Sequence, residues 1–292
     1  MMVKAIVFGG SGFLGSHVAD SLSERGYEVS IFDIADSKYR RDDQEMIIGD
    51  ILNPDQVNKA VKGKDYIYNF AGLASLDDAS TKPLRTVSLN IVGAINIMEA
   101  AIMARIKRLV YASSIYVYSQ KGGFYRCSKQ AAELYIEEYG RCFGMEFTVV
   151  RFGTLYGPRA DAQNSIRRYL KQAIDSGEIK CQGSGEEMRE YIFVRDAAEL
   201  SVDILDDRYI NQHIILTGHQ SVKFKDMLLT IQEILGRDIR LEFSGQSKGD
   251  HYSHTPYSFI PKIGNKLVSN YYLDIGQGLL ECLKEMHGDT VR

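Results

Sequence analysis

Tyr125 and Lys129, in FYRCSKQAAEL, are the two side chains whose types and spacing most directly suggest chemistry. Four residues apart on a helix, they share a face. An ammonium group beside a phenol favours the phenolate, so the spacing predicts a tyrosine held below its ordinary pKa of about 10 and able to exchange protons. In a chain with 18 tyrosines such a pair also arises by chance, and its position is what gives it weight. It opens a helical pattern shortly after the apolar run RLVYASS, which ends in the hydroxyls of Ser113 and Ser114.

A second constellation is made of glycines. VKAIVFGGSGFLGSHVADSLSERG begins with a short apolar run, turns through Gly9, Gly10, Gly12 and Gly15, and continues with Phe13, Leu14, Val18 and Leu22 at helical spacing. Gly26 stands where a helix C-cap is expected. Strand, glycine turn and helix form the context of a dinucleotide fingerprint. Without Cβ atoms the turn can be tight, and a pyrophosphate can reach the main chain and the first N–H groups of the helix. EVSIFD then predicts a second strand ending at Asp33, 18 residues past Gly15, where a carboxylate accepts from the adenosine ribose hydroxyls. An acid there favours NAD over a cofactor carrying a 2′-phosphate, while Lys38, Arg40 and Arg41 read as a solvated charged loop.

Other elements must position these groups. EMIIGDILN predicts a short strand followed by Asp50 and Ile51, with Asn53 and Pro54 as N-cap and first residue of a helix through Val61. DYIYNF predicts a strand over 65–70 that breaks into Ala71 and Gly72, small enough for a backbone passing under a cofactor. Long amphipathic helices are expected over 83–104 and from about 125 to 143, with strands in RLVYASS and EFTVVRF. The alternation through residue 151 implies an α/β fold, a doubly wound parallel sheet with helices on both faces. Beyond it the pattern is less regular: helices near 165–176, 195–205, 224–235 and 276–286, and short strands in YIFV and at 214–216. These predict a smaller C-terminal α/β lobe, with residues 1–153 as the nucleotide-binding domain and 154–292 as mainly the substrate lobe, some segments returning to the core.

Composition sets outer limits. The chain of 292 residues is 45% apolar and 25% charged with a net charge of −3, which supplies no basic excess for nucleic acid. No apolar run approaches the roughly 20 residues that span a bilayer, and no signal-peptide pattern precedes the first strand. Cys127, Cys142, Cys181 and Cys282 lie far apart, without metal-ligand spacing, and predict reduced thiols in a cytoplasmic protein without a metal site.

Together these residues resemble the extended short-chain dehydrogenase/reductase family, in its NAD-dependent nucleotide-sugar epimerase/dehydratase branch. Gly9, Gly12 and Gly15 meet its G-x-x-G-x-x-G, Asp33 its second-strand acid, Asp50 and Ile51 its Asp-Ile pair, and Tyr125 and Lys129 its Tyr-x-x-x-Lys. The family's strand-five hydroxyl falls on Ser114 rather than Ser113, because Val117 and Tyr118 follow at the matching distance. VVRFGTLYGPR and GSGEEMREYIFVRDAAE resemble later family segments, so the likeness runs to about residue 285. It implies a Rossmann-type sheet, catalysis by Ser114, Tyr125 and Lys129, and NAD held by Gly9, Gly12, Phe13, Leu14, Gly15, Asp33, Asp50, Ile51, Ala71, Gly72 and Asn90 together with Tyr125 and Lys129. It places the substrate against Ser114, Thr154, Asn164 and Arg189. Arg189 is the candidate for the diphosphate, with an ion pair to a flanking glutamate as its alternative.

Three departures bear on substrate. Ile115 and Tyr116 stand where dehydratase members carry Asp-Glu and decarboxylase members keep a Glu, so the acid–base pair for dehydration is missing. Thr154 replaces the Asn of R-x-x-N-x-Y-G-P, and only residues 119–124 separate Tyr118 from Tyr125. The resemblance therefore implies epimerisation of a nucleotide-linked sugar at C4 through a 4-keto intermediate. A 4-keto-sugar reductase using NAD(P)H and a non-catalytic dinucleotide-binding protein are the alternatives. Surplus apolar positions on the two long helices (Leu84, Val87, Ile91, Ile95 and Met98; Ala131, Leu134, Tyr135, Ile136 and Tyr139) predict a homodimer through 83–104 and 125–143.

Overall fold

A computed structural model describes residues 2–245, 251–256, 265–267 and 273–289. Strand β1 (Lys4–Phe8) is buried on both faces from Ala5 onward, as an uninterrupted apolar run in a central parallel strand should be. It lies in an eight-stranded sheet with β2 (Glu28–Asp33), β3 (Gln44–Ile48), β4 (Tyr66–Asn69), β5 (Arg108–Ser114), β6 (Phe147–Phe152), β10 (Gln212–Leu216) and β13 (Asn265–Lys266). The order is β13-β10-β6-β5-β4-β1-β2-β3, and every neighbouring pair is parallel. Strand order therefore reverses between β1 and β4. Outside the carboxyl ends of the strands at such a point a crevice opens.

Helices cover both faces. α1 (Phe13–Glu24) and α8 (Val194–Asp203) pack on one, over Val7, Val29, Tyr68 and Ile214. On the other, α2 (Pro54–Val61), α5 (Gly93–Ala104) and α6 (Gly123–Phe143) enclose Ile6, Phe8, Ile67 and Leu109. Asn53 caps α2 by accepting from Gln56 N, with Pro54 at the first position. α3 (Leu76–Thr81) and α4 (Pro83–Val87) lead into α5 through a π-helical turn at Ser88–Val92. The expected helix over 83–104 is thus continuous but bulged, and the bulge turns Asn90 inward (2% exposed).

This helix also corrects the expectation that no stretch reaches bilayer length. By length and composition Pro83–Ala104 could cross a membrane. Here it packs along the sheet, with Asn90 and Asn96 bonded to the chain and Glu99 accepting from Tyr139.

The remainder forms a smaller lobe. β7 (Thr154–Tyr156), β9 (Met188–Phe193) and β11 (Ser221–Lys223) make one sheet, and β8 (Glu178–Cys181) pairs with β12 (Arg240–Phe243). α7 (Ser165–Ser176), α9 (Phe224–Leu235) and α10 (Ile275–Asp289) close a third core around Tyr156, Leu170, Phe193, Leu228 and Leu279. The strand expected as YIFV begins three residues earlier, at Met188, and the helix expected over 195–205 runs instead over Val194–Asp203.

Candidate active site

The glycine turn, Asp33, Asp50 and Ile51, Ala71 and Gly72, and Ser114 all fall at the carboxyl ends of β1 to β5, along one edge of the sheet. Gly9 has φ +77° and lies so near the β4 loop that a Cβ would sit 2.6 Å from Ala71 N. At Gly15 a Cβ would come within 2.2 Å of Gly9 O, so helix α1 can begin directly against the turn only as glycine. No side chain caps α1, whose N-cap is Gly12. Its first N–H groups, those of Phe13, Leu14 and Gly15, are the donors that a helix N-terminus offers to an anion. Asp33 braces this cradle: its carboxylate accepts from Ser11 N at 3.0 Å and Ile34 N at 2.8 Å. A carboxylate has lone pairs left for ribose hydroxyls. An uncapped helix start, a turn closed to side chains and an acid beside it fit a dinucleotide.

The remaining cofactor candidates act at different depths. Asp50 is exposed and accepts from Leu52 N, while Ile51 is buried with its side chain in the space left by Gly93. Asn90 works behind the site: its Oδ1 accepts from Leu73 N at 2.7 Å, and its amide donates to Leu73 O and Ser128 Oγ. It fixes the loop after β4 to α6.

Tyr125 and Lys129 lie in the first two turns of α6, which starts two residues before Tyr125. Gly122 (φ +101°) and Gly123 (φ +45°) turn the short loop directly into this helix, and a Cβ at Gly122 would meet the Tyr116 ring at 2.8 Å. Ser114, 7% exposed, hydrogen-bonds the Tyr125 phenol. Lys129 Nζ donates to Ala112 O at 2.7 Å and lies 5.9 Å from the centre of the Tyr125 ring. The three candidate catalytic residues therefore meet.

Their protonation differs from the simple expectation. Burial pushes the Tyr125 phenol up to about 12, against the pull of the Ser114 hydrogen bond. Burial draws Lys129 down to about 8, against the nearby Glu133 carboxylate. At the phenol desolvation dominates, because the group is removed from water.

Around the triad stand aromatic residues that the sequence did not mark. Tyr116 faces Tyr125 edge-on at 6.2 Å, hydrogen-bonds His251 Nδ1 at 2.8 Å, and packs on Tyr252 at 4.8 Å. Tyr252 lies 3.3 Å from Thr154 Oγ1 and beneath the Arg189 guanidinium, which is 4.4 Å from its ring centre. The flanking glutamates bond elsewhere: Glu186 to Lys223, Glu187 to the amides of Ser184 and Gly185, and Glu190 to Lys266. Arg189 is thus held by an aromatic face in place of the ion pair given as its alternative. Asn164 is the N-cap of α7, its Oδ1 accepting from Ile166 N and Arg167 N and its amide donating to Leu155 O. Its amide, the group able to donate to a substrate diphosphate, is thus engaged with Leu155 O.

Residues 5–216 match the sequence pattern of the NAD dependent epimerase/dehydratase family. The chain belongs to that family. A curated relative, the UDP-N-acetyl-alpha-D-glucosaminuronate decarboxylase of Bacillus cytotoxicus, is 26% identical over 98% of this chain and 92% of its own. Among solved structures, a UDP-glucose 4-epimerase from Thermotoga maritima with UDP-glucose superposes with a TM-score of 0.86 at 21% identity, covering 99% of this chain and 100% of that one. A UDP-glucuronic acid 4-epimerase from Bacillus cereus, in complex with UDP-glucuronic acid and NAD, gives 0.86 at 19% identity, covering 98% and 99%. At such identities these two structures are likenesses of fold.

Proposed function

We propose that the protein is an NAD-dependent 4-epimerase of a nucleotide-linked sugar. The observation that carries this reading is the meeting of Ser114, Tyr125 and Lys129 at a site where positions 115 and 116 hold no carboxylate. When bound, NAD would supply a hydride acceptor and a positive charge, held by the Gly9–Gly15 turn and Asp33. Tyr125 takes the proton of the 4-hydroxyl, Ser114 hydrogen-bonds the same oxygen, and Lys129 contributes positive charge that favours the phenolate. A 4-keto sugar that turns over before the hydride and proton return emerges as the 4-epimer. The buried triad excludes water, and its proton balance closes on Tyr125.

A decarboxylase reading, suggested by the Bacillus cytotoxicus relative, lacks the acid that Ile115 and Tyr116 replace. Asp33 supports NAD, and Arg189 is the group suited to a substrate diphosphate. In this reading residues 1–153 hold the cofactor and residues 154–292 mainly the substrate, in a cytoplasmic enzyme. It is also a homodimer, because Leu84, Val87, Val92, Leu134 and Tyr135 are exposed on the two long helices while Met98 and Ile136 are consumed by the core. A two-fold copy would cover that stripe.

Denaturing the purified protein and identifying the released nucleotide tests the assignment. Retained NAD, with interconversion of a UDP-sugar and its 4-epimer, is expected. Exchangeable NADPH with one-way reduction of a 4-keto sugar would replace the reading by a reductase.

A further inference from the structure

One buried carboxylate in this site is unused by the mechanism above. Glu133 lies four residues after Lys129 on α6, so the two share a helix face. Arg151, from β6, reaches Glu133 Oε1 with Nε at 3.0 Å and Oε2 with Nη2 at 2.6 Å. Both side chains are almost wholly out of water, at 3% and 7% exposed. Ser113, whose side chain points to the opposite face from Ser114, donates to the same carboxylate. Arg151 also donates to the Tyr118 hydroxyl, and His213 of β10 lies 3.2 Å from Glu137 and 3.9 Å from Glu133.

The charges at this buried spot are unequal. Arg151 and Lys129 are both cationic, and Glu133, bonded to Arg151 and one helical turn from Lys129 on the same face of α6, is the carboxylate that raises the lysine against its burial. Other groups packed on the lysine are neutral: the Tyr111 ring of β5, 4.8 Å from Nζ, the Ala112 carbonyl and the Tyr125 phenol. A guanidinium does not give up its proton in a protein, whereas an ammonium readily does. If the carboxylate were removed, the buried site would therefore shed charge at the lysine.

We propose that Glu133 is a positioning residue that keeps Lys129 cationic in the active site, with Arg151 and Ser113 fixing the carboxylate in place. It touches neither substrate nor cofactor. The inference builds on the function proposed above, since it assigns Lys129 a role that only its charged form performs. It also explains the use of two serines at the end of β5: Ser114 serves the reacting oxygen, and Ser113 anchors the helix that carries Tyr125 and Lys129.

The test is the titration of the Lys129 amine, followed by NMR in the full chain labelled at lysine and assigned with Lys129→Met. In the native protein it should titrate near pH 8. In Glu133→Gln its midpoint should fall by about one pH unit or more. An unchanged midpoint overturns the proposal. Because Glu133→Gln leaves Arg151 without its partner and can impair folding, Glu133→Met with Arg151→Met provides the second arm. Apolar replacement of a buried pair is often well tolerated. The double variant should fold and, because the competing guanidinium leaves with the carboxylate, should return the Lys129 midpoint most of the way from its Glu133→Gln value toward the native one. A midpoint in the double variant as low as in Glu133→Gln would show that the charge balance of the pair does not govern the lysine and would sink the inference. The titration needs no substrate, so failure of the epimerase reading would show separately, as a native protein whose bound NAD no sugar reduces.

Discussion

The nucleotide side and the sugar side of this crevice are built differently. The nucleotide side is backbone: Gly9 to Gly15, the uncapped start of α1, the Ala71–Gly72 turn, and one braced acid at Asp33. The side proposed for the sugar is made of side chains gathered from distant segments. Tyr116 follows β5, Thr154 opens β7, Arg189 lies in β9, and His251 and Tyr252 come from beyond β12. A cradle of main chain tolerates few substitutions and keeps one ligand. A wall of side chains can be exchanged residue by residue, which is how one family serves several sugars.

The largest expected effect separates the two sides cleanly. Tyr125→Phe should lower turnover by about 10²-fold or more, the usual worth of a positioned proton-transfer group, while leaving NAD in place. Retained turnover in this variant would remove Tyr125 from the chemistry.

On the nucleotide side the corresponding probe is pH. Burial holds His17 of α1 down to about 4, and its ring bonds Pro158 O at 3.1 Å. Between pH 6.5 and 4 the unfolded chain's imidazole is protonated and the folded one is not. Unfolding then takes up a proton, and stability falls as the pH is lowered through that window, by up to about 3 kcal/mol. Denaturant titrations at pH 7 and pH 4.5 should show this loss in the native protein and a smaller one in His17→Gln. Equal losses would place the acid sensitivity elsewhere.

Asp33→Ala should weaken NAD binding about tenfold and narrow the preference over NADP, because a charge-assisted ribose contact disappears and a repulsion with the 2′-phosphate goes with it. Calorimetry with both cofactors measures the change, and an unchanged preference would leave Asp33 only its brace to Ser11.

The smallest effect tests the sugar side. Asn164→Ala should cost about 1 kcal/mol of stability through loss of the α7 cap, with no change in substrate KM. A raised KM at unchanged stability would return Asn164 to the substrate.

The difference between the sides also decided what could be read from the chain. Strand β5, helix α7 and helix α9 fall where periodicity puts them, as does the cap at Asn53, because local pattern determines them; the C-cap of α1 is Arg25, with Gly26 (φ +82°) one position beyond it. Ser114, Tyr125 and Lys129 were legible because a strand end and a helix start bring them together over a short separation. Tyr116 showed only as a missing acid. Its bonds to His251 and Tyr252 span well over 100 residues, and no local pattern encodes such a contact. The pKa of Tyr125 was misjudged for a related reason: spacing reveals the neighbouring lysine but not the burial that raises the phenol. Asn164 was read from its residue type, and its capping role follows from the helix that begins at Ser165.

The most direct test of the central claim is the fate of hydrogen at C4. The protein is incubated in ordinary water with UDP-glucose deuterated at C4, and the hexose products are examined by NMR. The account predicts a 4-epimer that retains the deuterium at C4, since the same hydride leaves and returns within one closed site. Formation of the epimer with protium at C4, or no epimer while a 4-keto sugar is reduced by added NADPH, would contradict it.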